Sequence, residues 1–184
     1  WGIAIRPKGA GGHFWVTAKN ISYEYVGDVT SSTDPKLHAL YQDKLKTVKL
    51  PVGGDEQFAT STVYNDSKEN FVITQEIKNA PAITAPAKFL FSSDGGIISA
   101  WTERKLDDGS FDRPDDAVTV IDESARGAQF FGIALSHGYD RIYAANFGRD
   151  AGIEVFDGKF QPLPIKFDMP FDSNNNSKVD AGEY

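Results

Sequence analysis

Short segments of the chain alternate apolar and polar residues, which is the period-two pattern of half-buried β-strands. Residues 152–157 read Gly-Ile-Glu-Val-Phe-Asp and are followed by a glycine. Residues 88–91 and 97–101 are rich in apolar side chains and flank an Asp-Gly-Gly sequence, which is typical of a β-hairpin turn. Strong helical periodicity is otherwise absent. The sequence therefore predicts an all-β fold.

A strand-turn-strand unit recurs along the chain. Gly2 and Gly132 each open a Gly-Ile-Ala segment, which is followed by a glycine-containing turn and a second apolar strand. A weaker copy of the unit lies at residues 61–74, where an Asn-Asp-Ser-Lys-Glu turn joins two predicted strands. With one copy between the two clear ones, the period is about 65 residues.

Repeats of four antiparallel strands placed side by side describe the blades of a β-propeller. The sequence thus predicts one partial propeller domain over residues 1–184, which is roughly half of a six-bladed ring. A two-sheet sandwich is the alternative, although it gives no reason for the Gly-Ile-Ala segment to recur. The three predicted blades are residues 1–57, 58–127 and 128–167.

A period this long leaves room for loop insertions, because common blades have only about 40 to 50 residues. Residues 37–45 are ambiguous, since their leucines and tyrosine suit either a helical stripe or a strand. We predict a strand there, because the matching position in the other units is a strand. The expected insertions are residues 21–35, 78–86 and 103–116.

Composition narrows the class of protein. The 184 residues are 40% hydrophobic and 24% charged, as in soluble globular domains, and no apolar run approaches the roughly 18 residues of a membrane span. The net charge of −7 repels phosphate backbones, so we expect no nucleic-acid partner. The absence of cysteine excludes disulfides, thiolate metal sites and a cysteine nucleophile, and it fits either a reducing cytosol or an exported protein.

The sharpest chemical motif lies at residues 172–183, where oxygen-bearing groups fall at positions 1, 3, 5, 7, 9 and 12 of a twelve-residue loop. This spacing resembles the calcium loop of an EF-hand, in which the last glutamate binds through both oxygens. Ser177 stands where that loop has glycine, so strain could lower the affinity. A polar connector is the alternative. The predicted Ca²⁺ ligands are Asp172, Asn174, Asn176, the carbonyl of Lys178, Asp180 and Glu183.

Other candidate residues give weaker signals. The three histidines, His13, His38 and His137, have no metal-ligand spacing and are expected on the surface or in turns. The aspartate pairs at residues 107–108 and 115–116 are expected in a solvated loop. The tryptophans Trp1, Trp15 and Trp101 are expected in the blade core.

Several segments resemble one family when they are taken in order. They are the opening Trp-Gly-Ile-Ala, the hairpin at residues 89–101, the strand at residues 118–122 and the strands between residues 132 and 157. Together they resemble exported bacterial six-bladed β-propellers of unassigned function, which are related in fold to NHL-repeat proteins. The resemblance implies a propeller in a secreted or extracytoplasmic bacterial location, and it brings no catalytic signature.

Three blades cannot close a ring, because known propellers have at least four. Members of the family that the chain resembles are about twice as long, and the chain opens on Trp1 without a methionine. We therefore expect a longer precursor whose remaining blades lie on another fragment or chain. A homodimer of half-propellers is the alternative.

Two functions are compatible with these patterns. The first is a binding or scaffold module that calcium stabilises, since repeated architecture comes without a catalytic constellation. The second is a calcium-dependent hydrolase that resembles gluconolactonase and paraoxonase propellers, in which Asn20, Asn65 and Asn146 would point into the channel as metal ligands. These patterns leave open whether the protein is an enzyme, and they favour the scaffold module.

Overall fold

The computed structural model describes residues 2–7, 13–26, 45–165 and 167. Three four-stranded antiparallel sheets dominate these residues, which confirms the predicted all-β class with four-stranded antiparallel sheets. In the described part of the chain there is no α-helix, only a 3-10 turn at Ser124–Arg126. No described segment forms a helix with the length and apolarity needed to cross a membrane.

The first sheet is an antiparallel meander with two different faces. Ile3 pairs with Val16, and Val16 pairs with Tyr23, so an apolar row crosses one face of the sheet. The other face carries the buried Trp15. The strands are β1 (Gly2–Ile5), β2 (Phe14–Ala18), β3 (Ile21–Tyr25) and β4 (Thr47–Lys49).

The second sheet is also a meander, but a hairpin follows its first strand and another follows its third. The strands are β5 (Ala59–Tyr64), the hairpin of β6 (Val72–Ile77) and β7 (Ala80–Pro86), then β8 (Phe89–Ser93), β9 (Ile97–Trp101), the hairpin of β10 (Arg104–Lys105) and β11 (Phe111–Asp112), and β12 (Val118–Asp122).

The predicted pairing of the two strands within residues 61–74 is wrong. β5 pairs with β8, whereas β6 pairs with β7 in a separate two-stranded sheet. The alternation of residues 70–74 identified a strand correctly, but alternation determines which face a residue occupies and not which strand is the partner. Phe71, in the left-handed region at φ 59° and fully buried, lies where the chain enters the hairpin.

All three expected loop insertions contain strands. Residues 80–86 form β7, and residues 103–116 contain the β10–β11 hairpin. Within the expected insertion at residues 21–35, the first five residues form β3. Residues 37–44 of the ambiguous stretch lie outside the described residues, and the fourth strand of the first sheet is β4.

The third sheet is the most regular meander. Its second and third strands pair without interruption from Arg141 with Asp157 to Asn146 with Gly152. The strands are β13 (Phe130–Leu135), β14 (Arg141–Asn146), β15 (Gly152–Asp157) and β16 (Pro162–Leu163). The blade boundaries at residues 57/58 and 127/128 stay predictions.

The first strand of each sheet, β1, β5 or β13, is its lead strand, and the three lead strands lie side by side. The Thr60 hydroxyl of β5 donates a hydrogen bond to the Phe130 carbonyl of β13 over 2.5 Å. On the other side of β5, a Cβ atom at Gly2 would lie 2.4 Å from the backbone nitrogen of Thr62, so only glycine permits this approach. The sheets therefore radiate from three adjacent lead strands, and no ring closes among the described residues.

Two junctions join the three sheets. The ionic junction lies between the first and second sheets and is centred on Trp15, Phe89 and Trp101. The apolar junction lies between the second and third sheets and contains hydrophobic residues from both. Its largest members are Phe71, Phe130, Phe156, Leu90, Ile98 and Ile142. The burial of Trp15 and Trp101 confirms the core prediction for those two tryptophans; Trp1 lies outside the described residues.

Candidate functional site

The three lead strands end together on one side of the molecule, which we call the exit face and define by their last residues, Ile5, Tyr64 and Leu135. An open groove of about 360 Å³ runs along the lead strands to this face. Its walls come from all three sheets. The lining residues are Ile3, Ala4, Ile5, Thr62, Val63, Tyr64, Ile133, Ala134, Leu135 and Tyr139.

A chain of charged side chains crosses the ionic junction at the exit face. Arg113 of the second sheet lies 2.9 Å from Glu24 of the first sheet and 2.9 Å from Glu103. At the two ends, Arg6 lies 2.5 Å from Glu103, and His13 lies 2.6 Å from Glu24. The two carboxylates are almost fully buried, so their charges are compensated by protein groups rather than by bulk water.

Aromatic rings support the central arginine of this chain. The guanidinium carbon of Arg113 lies 5.9 Å from the Trp15 ring centroid and 5.8 Å from that of Trp101. The two indoles are themselves in contact, with centroids 5.0 Å apart. Arg113 thus joins the sheets through cation–π contacts as well as through ion pairs.

The buried Glu24 remains ionised because several donors surround it. Burial alone raises the pKa of this carboxyl, but hydrogen bonds from Arg113 and His13 outweigh burial and hold the pKa below its usual range. The backbone amide of Lys46 donates a further hydrogen bond to Glu24 over 3.1 Å. Sequence reasoning missed this carboxylate, because it lies 89 positions from its partner Arg113.

A second concave site lies on the outer side of Arg113, between β6 and the segment that leads into β12. Gln75 fixes its walls: the side-chain amide donates to the Asp116 carbonyl over 2.7 Å and accepts from the Thr102 backbone amide over 2.6 Å. The cleft has a volume of about 610 Å³. Its charged lining residues are Glu76, Lys78, Arg113, Asp115 and Asp116.

Tyr64, which lines the groove at the end of β5, lies beside the ion pair of Asp66 and Lys68. Lys68 pairs with Asp66 over 2.8 Å, and the Tyr64 hydroxyl lies 3.4 Å from the same carboxylate. Burial raises the pKa of Tyr64, and the charge of Asp66 adds to this effect. Burial lowers the pKa of Lys88, and the charges of Lys68 and Arg6 lower it further.

The six predicted calcium ligands, residues 172–183 as a loop, lie outside the described residues and stay predictions. In residues 2–7, 13–26, 45–165 and 167, no group of three or more His, Asp or Glu side chains is arranged to hold a metal ion.

The three asparagines proposed as channel ligands do not come together. The Asn65 side chain donates to the Ala87 carbonyl and accepts from the Ser67 amide, which fixes the turn after β5. The Asn146 side chain accepts from the amides of Gln129 and Gly148 and donates to Glu154, near the start of β13. Asn20 is exposed in the β2–β3 turn. Two of these amides therefore fix turns, at opposite ends of their sheets.

The weaker candidates are distributed over the surface. His137 is exposed in the β13–β14 turn, and the aspartates at residues 107–108 and 115–116 are exposed, as the sequence predicts. His13 differs from the prediction in part, since its ring is only half exposed and contacts Glu24. His38 lies outside the described residues.

No family model matches the chain, and no solved structure matches it. The chain is similar to "Uncharacterized protein R640" of Acanthamoeba polyphaga mimivirus, with 28% identity over 113 residues. This region covers 61% of the chain and 18% of the viral protein. The resemblance to exported bacterial six-bladed propellers is therefore wrong: the relative found is viral, no such family matches, and no sheet closes into a ring among the described residues.

Proposed function

We propose that the chain is a binding or scaffold module whose three sheets are consecutive blades of a β-propeller and whose exit face receives the ligand. The observation that carries this proposal is the repeated use of one glycine position. Gly2 of the first lead strand is the point at which the second lead strand comes into close contact. Gly132 occupies the same place in the repeat, and a Cβ atom there would meet no atom of the described residues within 4 Å.

The open space at Gly132 is thus the position of a fourth lead strand. The outer face of the third sheet supports this proposal, because it is apolar where a neighbouring blade would pack. Ala145 pairs with Ile153, which is 45% exposed, whereas on the same face Val155 is buried and Tyr143 packs against Phe167. A sheet face of this kind is normally covered by another layer.

The outer face of the first sheet has the same character. Ile3 is 68% exposed and Ile5 is 59% exposed, and they pair with Val16 and Phe14. Each end of the three-sheet stack therefore presents an apolar surface. We propose that the remaining blades, on another segment or chain, cover both surfaces; a second copy of this chain would do so by joining its first sheet to the third sheet of its partner.

A binding role fits the exit face, because this face combines concave space with fixed charges. The open groove takes its walls from three sheets, and Arg113 also lines a separate cleft with hydrogen-bonded walls. Ligand sites of this type need pre-organised polar groups at the edge of an apolar surface. The ion chain that holds Arg113 supplies that rigidity on the ionic junction.

Calcium is proposed as a structural ion in the loop of residues 172–183. Three carboxylates there would repel one another without a cation, so the ion would stabilise the segment. With Ser177 in place of glycine, a low affinity is expected, and this suits the high calcium concentrations outside cells. An extracytoplasmic location is therefore part of the proposal.

The blade arrangement is tested by Gly132→Ala. In the isolated 20.2 kDa chain the added methyl meets open space and should change stability little. It should nevertheless abolish self-association or the capture of further blades, as measured by size-exclusion chromatography with light scattering. Gly2→Ala is the matched control and should destabilise the chain itself. A stable monomer that buries no apolar surface with any partner would overturn the proposal.

The calcium site is tested separately. Glu183→Gln should weaken calcium binding in isothermal titration calorimetry, since the bidentate ligand is lost. Chelation should increase protease cleavage within residues 168–184. Equal cleavage with and without chelator, or an unchanged calcium affinity in the variant, would show that this loop is a polar connector.

A further inference from the structure

Two exposed phenylalanines form a ridge on the outer face of the third sheet. The rings of Phe131 and Phe147 are in edge-to-face contact, with their centroids 5.6 Å apart. They are 51% and 69% exposed, although phenylalanine is among the residues most often buried in folded proteins. Phe147 follows Ala145 by two positions, so it continues the row of side chains on the outer face. The ridge lies where β13 begins and β14 ends.

An apolar pocket lies at the matching height of the first sheet. It has a volume of about 360 Å³ and opens on the outer face, where Ile3, Val16 and Ala18 line it. The pocket lies where β1 begins and β2 ends. Since the lead strands end together at the exit face, the ridge and the pocket are at the same height on opposite ends of the three-sheet stack. The other lining residues of the pocket are Gly2, Thr17 and Lys19.

The repeated glycine indicates how a second copy of the chain would dock. Gly2 lies against the backbone of Thr62, which stands two residues before the end of its lead strand, as Ile3 does in β1. A second copy placed by the same geometry would bring its Ile3 backbone to the open space at Gly132. Phe131 directly precedes Gly132, and Ile3 lines the pocket, so this docking places the ridge of one copy at the pocket of the other.

We propose that two copies of this chain associate head to tail, with the ridge of each copy seated in the pocket of the other. The inference rests on the proposed blade arrangement and specifies the partner. A second copy fits because the ridge and the pocket both belong to this chain and lie at matching heights. Two such junctions, related by a twofold axis, would close two three-sheet stacks into one ring. Aromatic anchors in an apolar pocket are the contacts that dominate interface affinity.

The first test is the mass of the chain in solution, measured by sedimentation velocity at several concentrations. The wild-type chain should reach twice its mass of 20.2 kDa. Phe147→Ala should raise the dissociation constant of the dimer at least about 100-fold, since each dimer contains two junctions. Phe111→Ala is the matched control, because Phe111 is 46% exposed on the β10–β11 hairpin, and it should change the constant by no more than about twofold. A wild-type monomer at every concentration, or an unchanged constant in Phe147→Ala, would overturn the inference.

The second test distinguishes head-to-tail from face-to-face association. The chain has no cysteine, so single cysteines can be introduced without background. Ala18→Cys lies in the pocket, and Ala145→Cys lies beside the ridge on the outer face. A short bismaleimide should link these two variants when they are mixed, whereas a mixture with Lys159→Cys, at an exposed turn, should not be linked. Efficient linking of either variant to itself would contradict the head-to-tail arrangement.

Failure of these tests differs from failure of the blade proposal. A monomeric chain would exclude the second copy, and the blades that cover the two outer faces would then come from another chain or segment. A dimer that forms through other surfaces, insensitive both to Phe147→Ala and to Gly132→Ala, would contradict this inference and the blade proposal together.

Discussion

The two junctions between the sheets solve the same packing problem with different chemistry. At the apolar junction, Phe130, Ile142 and Phe156 are almost completely buried and pack in a hydrophobic cluster. At the ionic junction, Trp15 and Trp101 share the interior with buried charged groups that belong to both sheets. The first junction depends on the area removed from water, whereas the second also depends on the ionisation of carboxylates.

The difference indicates which junction holds its side chains in fixed positions. A chain of buried ion pairs requires each partner to stay in place, since a displaced partner leaves a buried charge uncompensated. The ionic junction also supplies Arg113 to the lining of the cleft. We infer that the ionic junction positions the binding surface and that the apolar junction supplies general stability.

The largest effect is expected at the apolar junction. Phe130→Ala should lower the free energy of unfolding by about 4 kcal/mol, since it removes a fully buried ring that packs edge-on to Phe156. Urea denaturation at pH 7 measures this loss. Phe131→Ala is the control, because Phe131 is 51% exposed, and its loss should be much smaller. Equal losses would mean that the junction is not the core of the domain.

The next largest effect is expected at the ionic junction. Glu24→Gln should cost about 3 kcal/mol, because it leaves Arg113 with a single buried carboxylate. The double variant Glu24→Gln with Arg113→Met should recover part of the loss. Glu76→Gln, at an exposed position, is the control and should stay within about 0.5 kcal/mol of wild type. A double variant whose loss of unfolding free energy equals or exceeds the sum of the two single losses would contradict the coupling.

Acid should weaken the two junctions unequally. The pKa of Glu24 is held below its ordinary value of 4.5, the net result of opposing burial and stronger hydrogen bonds. Its contribution to stability is therefore complete above the unfolded-state pKa and is lost as the pH falls through the lower folded-state pKa. Below about pH 4.5, the free energy of unfolding should fall more steeply with decreasing pH in wild type and in Phe130→Ala than in Glu24→Gln. Parallel curves for all three would rule out this role of Glu24.

The smallest effect is expected at the surface. The ion pair of Asp66 with Lys68 is largely exposed, so Lys68→Met should change the free energy of unfolding by less than about 1 kcal/mol. The change should also decrease as salt is added, since exposed pairs are screened. The free energy of unfolding of wild type and of Lys68→Met, measured at low and at high sodium chloride, tests both expectations. A large, salt-independent loss would show that this pair supports the fold.

Local patterns predicted the strands but not their partners. The alternation in residues 152–157 and the Asp-Gly-Gly turn at residues 94–96 correspond to β15 and to the β8–β9 hairpin. The hairpin of β6 and β7 was missed as a separate unit, because nothing local distinguishes an inserted hairpin from the first pair of a blade. Trp15 and Trp101 were expected in the core, since large apolar rings are usually buried there.

The charged site could not be predicted from the sequence, because here too the partners lie far apart along the chain. Glu24 and Arg113 are far apart along the chain, and each looks like an ordinary surface charge in its own segment. Only the packing of the first sheet on the second brings them together over two indole rings. The Gly2 and Gly132 repeat, by contrast, was visible in the sequence, but its reason emerged from the close approach of β5.

Hydrogen–deuterium exchange at pH 7 and at about pH 3.5 tests the contrast between the junctions most directly. After correction for intrinsic exchange rates, β2 and β3 of the first sheet should lose protection in acid, while β14 and β15 of the third sheet keep theirs. Glu24→Gln should already show the reduced protection of β2 and β3 at pH 7. Uniform loss of protection across all three sheets would contradict the account, because both junctions would then depend on ionisation to the same extent.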